Sequence, residues 1–232
     1  DVYKRQHYDL PQIDLLVNDD TISIAKLFPY INHIHSFSYH DKKHKRWSQE
    51  KKIISSIFKK YDLSINLTAS DRSVLYALIA GVKSISAIES DKQKSWWKKL
   101  FLTHYYYFDS SDHILSNNLR PLNCLKIKYD NILQSPEINQ KTSDQIKRKL
   151  KKIGVDKFII FHPSAQYYYK IYPQYLRDQL LLSLNTLGIK ILVTGSDNLI
   201  DIDIKRKLPS LPNIIDFIGE TSIEEFMALS NL

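Results

Sequence analysis

The segment KFIIFHPSAQYYYKIYP, residues 157–173, gives the clearest structural signal in the sequence. The residues at its head predict a buried strand, which breaks off at His162-Pro163-Ser164-Ala165. Three tyrosines follow, then Lys170, and Pro173 begins a predicted helix. The chain therefore places one lysine in the turn between a buried strand and a helix, with small residues shortly before it.

The same alternation continues from this segment to the end of the chain. Strands are predicted at 157–162, 189–195 and 213–219, and helices at 173–188, 198–207 and 221–232. The first of these helices ends at Gly188. The last opens with a capping box, formed either by Thr221 with Glu224 or by Ser222 with Glu225. Strands that alternate with helices indicate a parallel sheet covered on both faces.

The first half of the chain repeats the pattern less regularly. Strands are predicted at 12–17, 31–37 and 62–67, and helices at 21–28, 46–62 and 70–81. Ser70 or Asp71 would cap the helix at 70–81, and Gly81 would stop it. Residues 101–135 have no assignment. The polar segment 133–144 contains Pro136 and is predicted to link two α/β domains.

Length and composition describe an ordinary globular protein. The chain has 232 residues, of which 43% are hydrophobic and 25% charged. No apolar run approaches the ~18–20 residues of a membrane helix, and no signal peptide is recognised. A single cysteine, Cys124, excludes an intramolecular disulfide and fits a reducing compartment. We therefore expect a soluble cytoplasmic protein. The chain starts with Asp1 rather than Met, and whether residues 1–6 are native stays open.

The net charge of +8 suggests an anionic partner. Nucleic acid, an anionic membrane surface and a phosphorylated substrate all fit that charge. The segment DKQKSWWKKLF, residues 91–101, combines aromatic and basic residues as lipid-headgroup contacts do. A peripheral membrane contact is one hypothesis for this segment, and core packing of the two tryptophans is the plainer interpretation. The residues concerned are Lys92, Lys94, Trp96, Trp97, Lys98 and Lys99.

Small and polar residues follow each strand of the second half. In open parallel sheets, ligands bind beyond the carboxyl ends of the strands, where helix N-termini offer N–H groups to anions. Lys170 in that crevice would neutralise a phosphate, although a solvated loop lysine is the plainer alternative. The absence of GxGxxG and GxxxxGK[ST] weakens the dehydrogenase and P-loop interpretations. The residues at the strand ends are Ser164 and Ala165, then Thr194, Gly195 and Ser196, then Gly219, Glu220 and Thr221.

Three motifs in this half resemble a known family. FHPSAQYYYKIYP, ILVTGSDN and IIDFIGETSIEEFMALS are similar, in order and spacing, to the second domain of glycosyltransferase family nine, the lipopolysaccharide heptosyltransferases. KYDLSINLTASDRSVLYALIAGVKSI, residues 60–85, resembles a pattern of that family's first domain. The resemblance covers roughly residues 10–232.

The resemblance implies an α/β protein of GT-B type, with two Rossmann-like domains that have parallel sheets and are both incomplete at the chain ends. Residues 1–140 would form the acceptor-side domain and residues 141–232 the nucleotide-sugar-binding domain. It implies inverting, metal-independent transfer of a heptose from ADP-heptose onto the lipopolysaccharide inner core, at the inner face of the inner membrane, without a cofactor.

The resemblance also assigns roles to single residues. Lys170 would contact the donor's phosphates and stabilise the leaving group, and Ser164 and Ala165 would form the diphosphate turn. The second strand end, Thr194, Gly195 and Ser196, would also bind the donor. Thr221 would contact the adenosine. Arg72 and Ser73 would lie on the acceptor side.

Some positions depart from the family pattern. Leu199 stands where the family has an acidic residue for the ribose, and Asp197 or Asp201 could substitute for it. Tyr172 replaces a tryptophan. The family's presumed catalytic aspartate would precede this chain and part of its donor site would follow it, so the chain is interpreted as an internal fragment without activity of its own.

Two other function classes stay open from the sequence. One is a non-catalytic binder of a phosphorylated glycan. The other is a basic nucleic-acid-binding protein, although no known single-strand or RNA motif supports it and no nucleic acid is expected.

Overall fold

The computed structural model describes residues 11–39, 46–128, 136–165 and 167–232. The chain divides into two compact units between Ser135 and Pro136, inside the polar segment 133–144. Every strand pair in the described residues is parallel. The predicted α/β architecture with parallel sheets is therefore confirmed.

The first unit contains a two-stranded and a three-stranded sheet, with strand orders β1-β2 and β3-β4-β5. Its strands are β1 (Asp14–Asn18), β2 (His33–Phe37), β3 (Tyr61–Asn66), β4 (Gly81–Ile88) and β5 (His104–Tyr107). Its helices are α1 (Ile22–Ala25), α2 (Arg46–Ile57), α3 (Asp71–Ala80), α4 (Lys92–Phe101) and α5 (Ile114–Cys124).

Two helices of this unit are shorter than predicted. The helix expected at 21–28 is a 3-10 turn, Asp19–Thr21, followed by the single turn of α1. The helix expected at 46–62 ends at Ile57, and Lys59 then adopts a positive φ of 49°. That reversal lets Tyr61 begin β3, so the charged residues after Phe58 form a turn and not a last helical turn.

Gly81 does not stop α3 in the way predicted. It has extended backbone angles, φ −113° and ψ 148°, and it is the first residue of β4, directly after Ala80. A Cβ at this position would lie 2.6 Å from both the Lys83 carbonyl oxygen and the Ser64 backbone nitrogen. Glycine is required here because the β3 and β4 backbones leave no room for a side chain.

The segment predicted to contact a membrane folds as α4, and part of that prediction is wrong. Lys98 is fully buried, at 0% exposure. Its Nζ lies 2.7 Å from Asp71 and 3.5 Å from Glu89, and it donates to the Ala69 carbonyl at 2.7 Å. Trp97 packs against the cluster of Val74, Ile88 and Leu102, as the core-packing alternative expects. The side chains of Lys92 and Lys94 lie outside the description.

The run of tyrosines that had no assignment forms β5 at the edge of its sheet. Tyr106 points into the core beside Ile85 and Ala87. Tyr105 and Tyr107 lie on the other face, exposed, and both rings contact the Lys99 ammonium, at 5.7 and 5.3 Å. Alternation of one buried and two exposed tyrosines is the ordinary period of a strand.

The second unit is a three-stranded sheet of order β6-β7-β8. Its elements are α6 (Gln140–Lys152), β6 (Phe158–Phe161), a 3-10 turn (Tyr168–Lys170), α7 (Gln174–Asn185), β7 (Lys190–Gly195), α8 (Leu199–Arg206), β8 (Ile214–Ile218) and α9 (Ile223–Ser230). Each lies within a few residues of its predicted position where one was predicted.

Helices cover this sheet on both faces, because alternate strand residues point to opposite sides. Leu192 and Phe217 pack with Ile146 and Leu150 of α6 and with α9 on one face. The other face holds Ile191, Val193 and Ile218, which pack with Leu181 of α7 and Ile204 of α8. Two apolar clusters thus fix the sheet and leave its carboxyl edge to be shaped by turns.

None of the helices in the described ranges has both the length and the apolar character needed to cross a membrane.

Candidate functional site

The candidate site lies where the three strands of the second unit end. Phe161 of β6 pairs with Val193, and Gly195 of β7 pairs with Ile218 of β8. Because the strands are parallel, the turns that follow them come together at one edge of the sheet, here called the carboxyl edge. The Gly219 N–H donates to the Gly195 carbonyl at 3.0 Å, which ties the second turn to the third.

A cavity of about 320 Å³ opens between these two turns. Two predicted donor-binding residues, Ser196 and Thr221, line it. The other predicted donor-binding residues, Ser164, Ala165, Lys170, Thr194 and Gly195, are outside its lining. The complete lining is Ser196, Asp197, Gly219, Glu220, Thr221, Ser222 and Glu225.

Asp201 shapes the turn between β7 and α8. Its Oδ2 accepts hydrogen bonds from the Ser196 N–H (2.6 Å), the Ser196 hydroxyl (2.8 Å) and Asn198 Nδ2 (3.1 Å). Asp201 is buried, and a Cβ on Gly195 would come within 3.1 Å of its carboxyl carbon. Asp201 therefore leaves little space for a side chain at position 195.

Asp197 and Asp201, the two acidic residues that could contact the ribose in place of Leu199, differ in their surroundings. Asp201 has one oxygen committed to the turn and is shielded from solvent. Asp197 is exposed, lines the cavity and, among the described residues, forms no ion pair within 4 Å. Leu199, at the position that is acidic in the family, is the exposed first residue of α8.

The turn after β8 is held by α9 and α6. Ser222 and Glu225 form the capping box of α9, so the second of the two predicted pairs is right and Thr221 with Glu224 is wrong. Glu224 instead accepts from the Thr142 hydroxyl at 3.0 Å. Thr221 is left half-buried at the cavity wall.

Lys149 of α6 closes the outer side of this turn. Its ammonium donates to the Glu220 carbonyl at 2.6 Å and lies 3.3 Å from the Glu220 carboxylate, above the Phe217 ring at 4.9 Å. This contact cannot be predicted from the sequence, because Lys149 is one of several basic residues in a lysine-rich helix and nothing in the pattern distinguishes it from the others.

Thr194 does not present its side chain to the cavity. It is buried at 1% exposure, and its hydroxyl lies 3.2 Å from His162 Nδ1. This contact joins the ends of β6 and β7. His162 follows β6 directly, and the sequence offered it only as part of the motif that breaks the strand.

The first turn of the edge carries the lysine that the sequence singled out. Ser164 and Ala165 are half-buried after β6, and Lys170 is the exposed last residue of the 3-10 turn Tyr168–Lys170. The Lys170 Nζ lies 5.5 Å from the centre of the Tyr167 ring and 5.7 Å from that of Tyr169.

In the first unit, Arg72 and Ser73 lie in the first turn of α3. Arg72 Nε is 2.9 Å from Glu50 and donates to the Tyr76 hydroxyl at 2.9 Å, with the guanidinium above the Phe37 ring. Burial, and then the hydrogen bond from the hydroxyl to Glu50, raise the pKa of Tyr76 to about 12. The Ser73 hydroxyl bonds within its own turn, to the Ser70 carbonyl at 2.8 Å. Their predicted role on the acceptor side stays a prediction.

The chemistry of the carboxyl edge is divided. Asp197, Glu220 and Glu225 line the cavity with carboxylates, which accept hydrogen bonds from hydroxyl and amino groups and repel phosphate. The ammonium of Lys170 and the N-terminus of α7 come from the neighbouring turn and attract anions. Such an edge suits a ligand with a hydroxyl-rich end and an anionic end.

The described residues contain no group of three or more His, Cys, Asp or Glu side chains arranged to hold a metal ion.

Comparisons with known proteins point in one direction. The sequence profile of "Glycosyltransferase family 9 (heptosyltransferase)" matches residues 51–231. Lipopolysaccharide heptosyltransferase 3 of Escherichia coli is 28% identical over 97% of this chain and 67% of its own length.

Solved structures show the same fold at lower identity. A family 9 glycosyl transferase from Veillonella parvula superposes with a TM-score of 0.73 and 18% identity, over 95% of this chain and 64% of its own. E. coli heptosyltransferase WaaC with ADP gives a TM-score of 0.69 at 14% identity, over 98% of this chain and 72% of its own. The chain thus spans about two thirds of the length of the proteins it matches, and the GT-B fold expected from the sequence is confirmed over that part.

Proposed function

The chain belongs to glycosyltransferase family 9, the heptosyltransferases, and on that premise we propose that the protein transfers a heptose from ADP-heptose to the inner core of lipopolysaccharide. The observation that carries the proposal is the divided carboxyl edge of the second unit. The ribose and adenine of the donor would occupy the cavity lined by Ser196, Asp197 and Thr221. The diphosphate would lie towards Lys170.

The polarity of the edge supports this orientation of the donor. Ribose hydroxyls and the adenine amino group are hydrogen-bond donors, which the exposed Asp197 carboxylate can accept. A diphosphate in the same place would face three carboxylates at short range. Placed one turn away, it would meet an ammonium and the N–H groups that begin α7.

The proposed reaction is a displacement at the anomeric carbon. An acceptor hydroxyl attacks that carbon, its C–O bond forms as the bond to the diphosphate breaks, and the configuration inverts. Negative charge develops on the departing ADP, where the Lys170 ammonium stabilises the transition state more than the ground state. We propose that no metal ion or cofactor takes part. As the new C–O bond forms, the acceptor hydroxyl gives its proton to a general base, which we do not assign to a described residue.

The donor and acceptor assignments rest on the relatives. One solved relative is described as WaaC with ADP-2-deoxy-2-fluoro heptose, and the curated relative is named a lipopolysaccharide heptosyltransferase. We extend both to this protein as proposals, together with a cytoplasmic location.

We also propose a contact with the inner face of the inner membrane, on a surface that keeps Trp96 and Lys99 of the predicted set and leaves out the buried Lys98. Trp96, Leu100 and Phe101 of α4 are 65%, 71% and 63% exposed. These three residues are called the outer α4 surface below. Exposed tryptophan and phenylalanine beside a lysine, here Lys99, are typical of helices that lie at a lipid interface.

Titration calorimetry and a transfer assay on the full-length protein test the proposed function. ADP should bind at one site per chain, more tightly than UDP or GDP, and Asp197→Ala should weaken ADP binding. Incubation with ADP-heptose and a heptose-deficient lipopolysaccharide should release ADP and extend the core. Binding of ADP without any release from the sugar would support the non-catalytic alternative. Binding of oligonucleotides in preference to ADP would support the nucleic-acid alternative, and either result would overturn the proposal.

A further inference from the structure

The loop before α7 contains an aromatic arrangement around one cation. The rings of Tyr167 and Tyr169 stack, with centres 5.6 Å apart and planes inclined by 20°. The Lys170 Nζ lies within 6 Å of both ring centres, at 5.5 and 5.7 Å. Neither ring is buried, so core packing does not explain the arrangement.

The local backbone accounts for this geometry. The Lys170 N–H donates to the Tyr167 carbonyl at 2.9 Å, which closes the 3-10 turn. Side chains three residues apart lie on the same side of such a turn, so Tyr167 and Lys170 face each other. Ile171 packs into the core beside the sheet and anchors the end of the turn. Tyr169 completes the arrangement by stacking on Tyr167.

The arrangement restricts a side chain that would otherwise be free. An exposed lysine has several rotatable bonds, and a ligand that fixes it must offset the lost rotamer freedom. Two ring contacts bias the ammonium towards one position before any ligand arrives. The distances to both rings are near the outer limit of such contacts, so N–H donors of the ammonium stay available to a phosphate.

We propose that Tyr167 and Tyr169 are positioning residues for Lys170, which hold its ammonium ready for the diphosphate of the donor. The proposal rests on the proposed function, since it assigns the diphosphate to Lys170. The tyrosines act through the lysine and not by contacting the ligand themselves. Their aromatic faces matter and their hydroxyl groups do not.

Two double variants of the full-length protein test this. Replacing both residues by leucine removes the ring faces, whereas replacing both by phenylalanine keeps them. The effect on binding is limited by the rotamer freedom that the lysine would otherwise lose when the ligand fixes it, which corresponds to roughly 10- to 30-fold at most. We therefore expect Tyr167→Leu/Tyr169→Leu to weaken ADP binding about 5- to 20-fold, and the phenylalanine variant to bind like the wild type.

Tyr168 supplies a matched control. It is 73% exposed and lies in the same 3-10 turn, and the cation–π contacts of Lys170 in the described residues are with Tyr167 and Tyr169 and not with Tyr168. Tyr168→Leu should leave ADP binding unchanged. An equal loss in Tyr168→Leu would show that the leucines disturb the loop in general, and would overturn the proposal.

Adenosine binding and a Lys170→Ala background distinguish positioning of Lys170 from direct contact between the tyrosine rings and the ligand. Adenosine lacks the phosphates, so its binding should not respond to the leucine variants. In Lys170→Ala, the two leucines should have no further effect on ADP binding, because the rings then have no cation to hold. A further loss in that background would show direct contact between the rings and the ligand.

The experiment also distinguishes this proposal from the proposed function. If Lys170→Ala itself binds ADP normally, the assignment of the diphosphate to Lys170 fails and the positioning role fails with it. If Lys170→Ala weakens binding while the leucine variants do not, only the positioning role is overturned. Circular dichroism of each variant confirms that the fold is retained.

Discussion

Lys170 is the residue on which the proposed chemistry depends most. Replacing it by alanine removes one charge-assisted contact to the leaving diphosphate, worth about 1.5–3 kcal/mol. In the full-length protein, Lys170→Ala should therefore lower kcat/KM for ADP-heptose about 10- to 100-fold. The melting temperature should not change, because Lys170 is exposed in a turn.

Lys157 is the control for this prediction. It is an exposed lysine directly before β6, at the opposite edge of the sheet. Lys157→Ala removes the same charge from the same unit and should leave turnover unchanged. Normal turnover in Lys170→Ala would mean that the lysine is only a solvated loop residue.

Asp201 has a structural role at the same edge. Without its carboxylate, the donors of Ser196 and Asn198 lose their common acceptor, and the turn that forms one cavity wall is no longer held. Asp201→Ala should lower the free energy of unfolding by about 1–3 kcal/mol. It should also weaken ADP binding, as measured by calorimetry.

Asp203 offers the comparison within the same helix. Its carboxylate pairs with Lys207 at 2.6 Å on the solvent side of α8. Pairs of this kind contribute about 0.3–0.5 kcal/mol, so Asp203→Ala should have a small effect on stability and none on ADP binding. Equal effects of the two substitutions would contradict the role given to Asp201.

For single residues, the sequence predicts which turns form the carboxyl edge but not what each side chain does there. Small residues after strands locate Ser196 and Thr221 correctly, because the position of a turn depends on local pattern. The orientation of Thr194 depends on which face of β7 it occupies and on His162 from another strand. Partners brought together across the sheet cannot be read from spacing along the chain.

Helix α4 is attached to its unit by a buried cation. The Lys98 ammonium joins the first turn of α3 at Asp71 and the end of β4 at Glu89. Lys98→Ala removes both links and leaves a cavity where the stem was packed, so we expect a loss of about 2–4 kcal/mol in unfolding free energy. Chemical denaturation measures it. Lys99→Ala, on the next residue, should have a much smaller effect.

The outer α4 surface gives a second prediction for the same helix. Replacing Trp96, Leu100 and Phe101 by Gln, Ser and Ser should reduce co-sedimentation with vesicles that contain anionic lipid roughly tenfold or more, because the apolar area that enters the interface is lost. The protein should keep its melting temperature.

Trp47 is a suitable control for that experiment. It is 86% exposed and belongs to α2, so Trp47→Gln removes an exposed tryptophan without changing α4. Unchanged co-sedimentation of the triple variant, or an equal loss in Trp47→Gln, would refute the assigned membrane contact.

The elements that the sequence predicts well are those with a clear hydrophobic period. All three strands of the second unit have their predicted centres, since each is a short apolar run between turn residues. Helix α4 was not predicted, because the charged residues of this segment interrupt its hydrophobic periodicity. Lys98 looks like a surface residue by composition, and its burial depends on the carboxylates of Asp71 and Glu89 and on the Ala69 carbonyl.

For the whole molecule, pH affects stability through a polar group in the first unit. His35 Nε2 lies 2.8 Å from the Tyr61 hydroxyl, and that hydroxyl donates to Asp14 at 2.8 Å. The other ring nitrogen of His35, Nδ1, lies 3.1 Å from the Ser56 hydroxyl. Burial, and then the nearby His33, lower the pKa of His35 below its usual 6.5, while Asp14 acts in the opposite direction. Lys60 adds a smaller lowering effect.

The sign of the pH effect follows from linkage. The unfolded chain protonates His35 more readily than the folded chain does, so this contribution is complete above the unfolded pKa and is lost as the pH falls below about 6.5. Denaturant unfolding at pH 7.5 and at pH 5 should show this loss, and His35→Gln should reduce it. His104→Gln, at an exposed histidine of the same unit, should not. An identical pH dependence in wild type and His35→Gln would disprove the assignment.

The junction at Gly81 limits how this family member can vary in length. A helix passes into a strand between Ala80 and Gly81 without one intervening residue, and two backbones enclose the glycine. An added residue there would rotate every following side chain of β4 to the wrong face of the sheet. The four-residue connection between α7 and β7 can absorb such a change. Length variation among homologues should therefore be absent at the first junction and common at the second, and an insertion scan would find the same contrast.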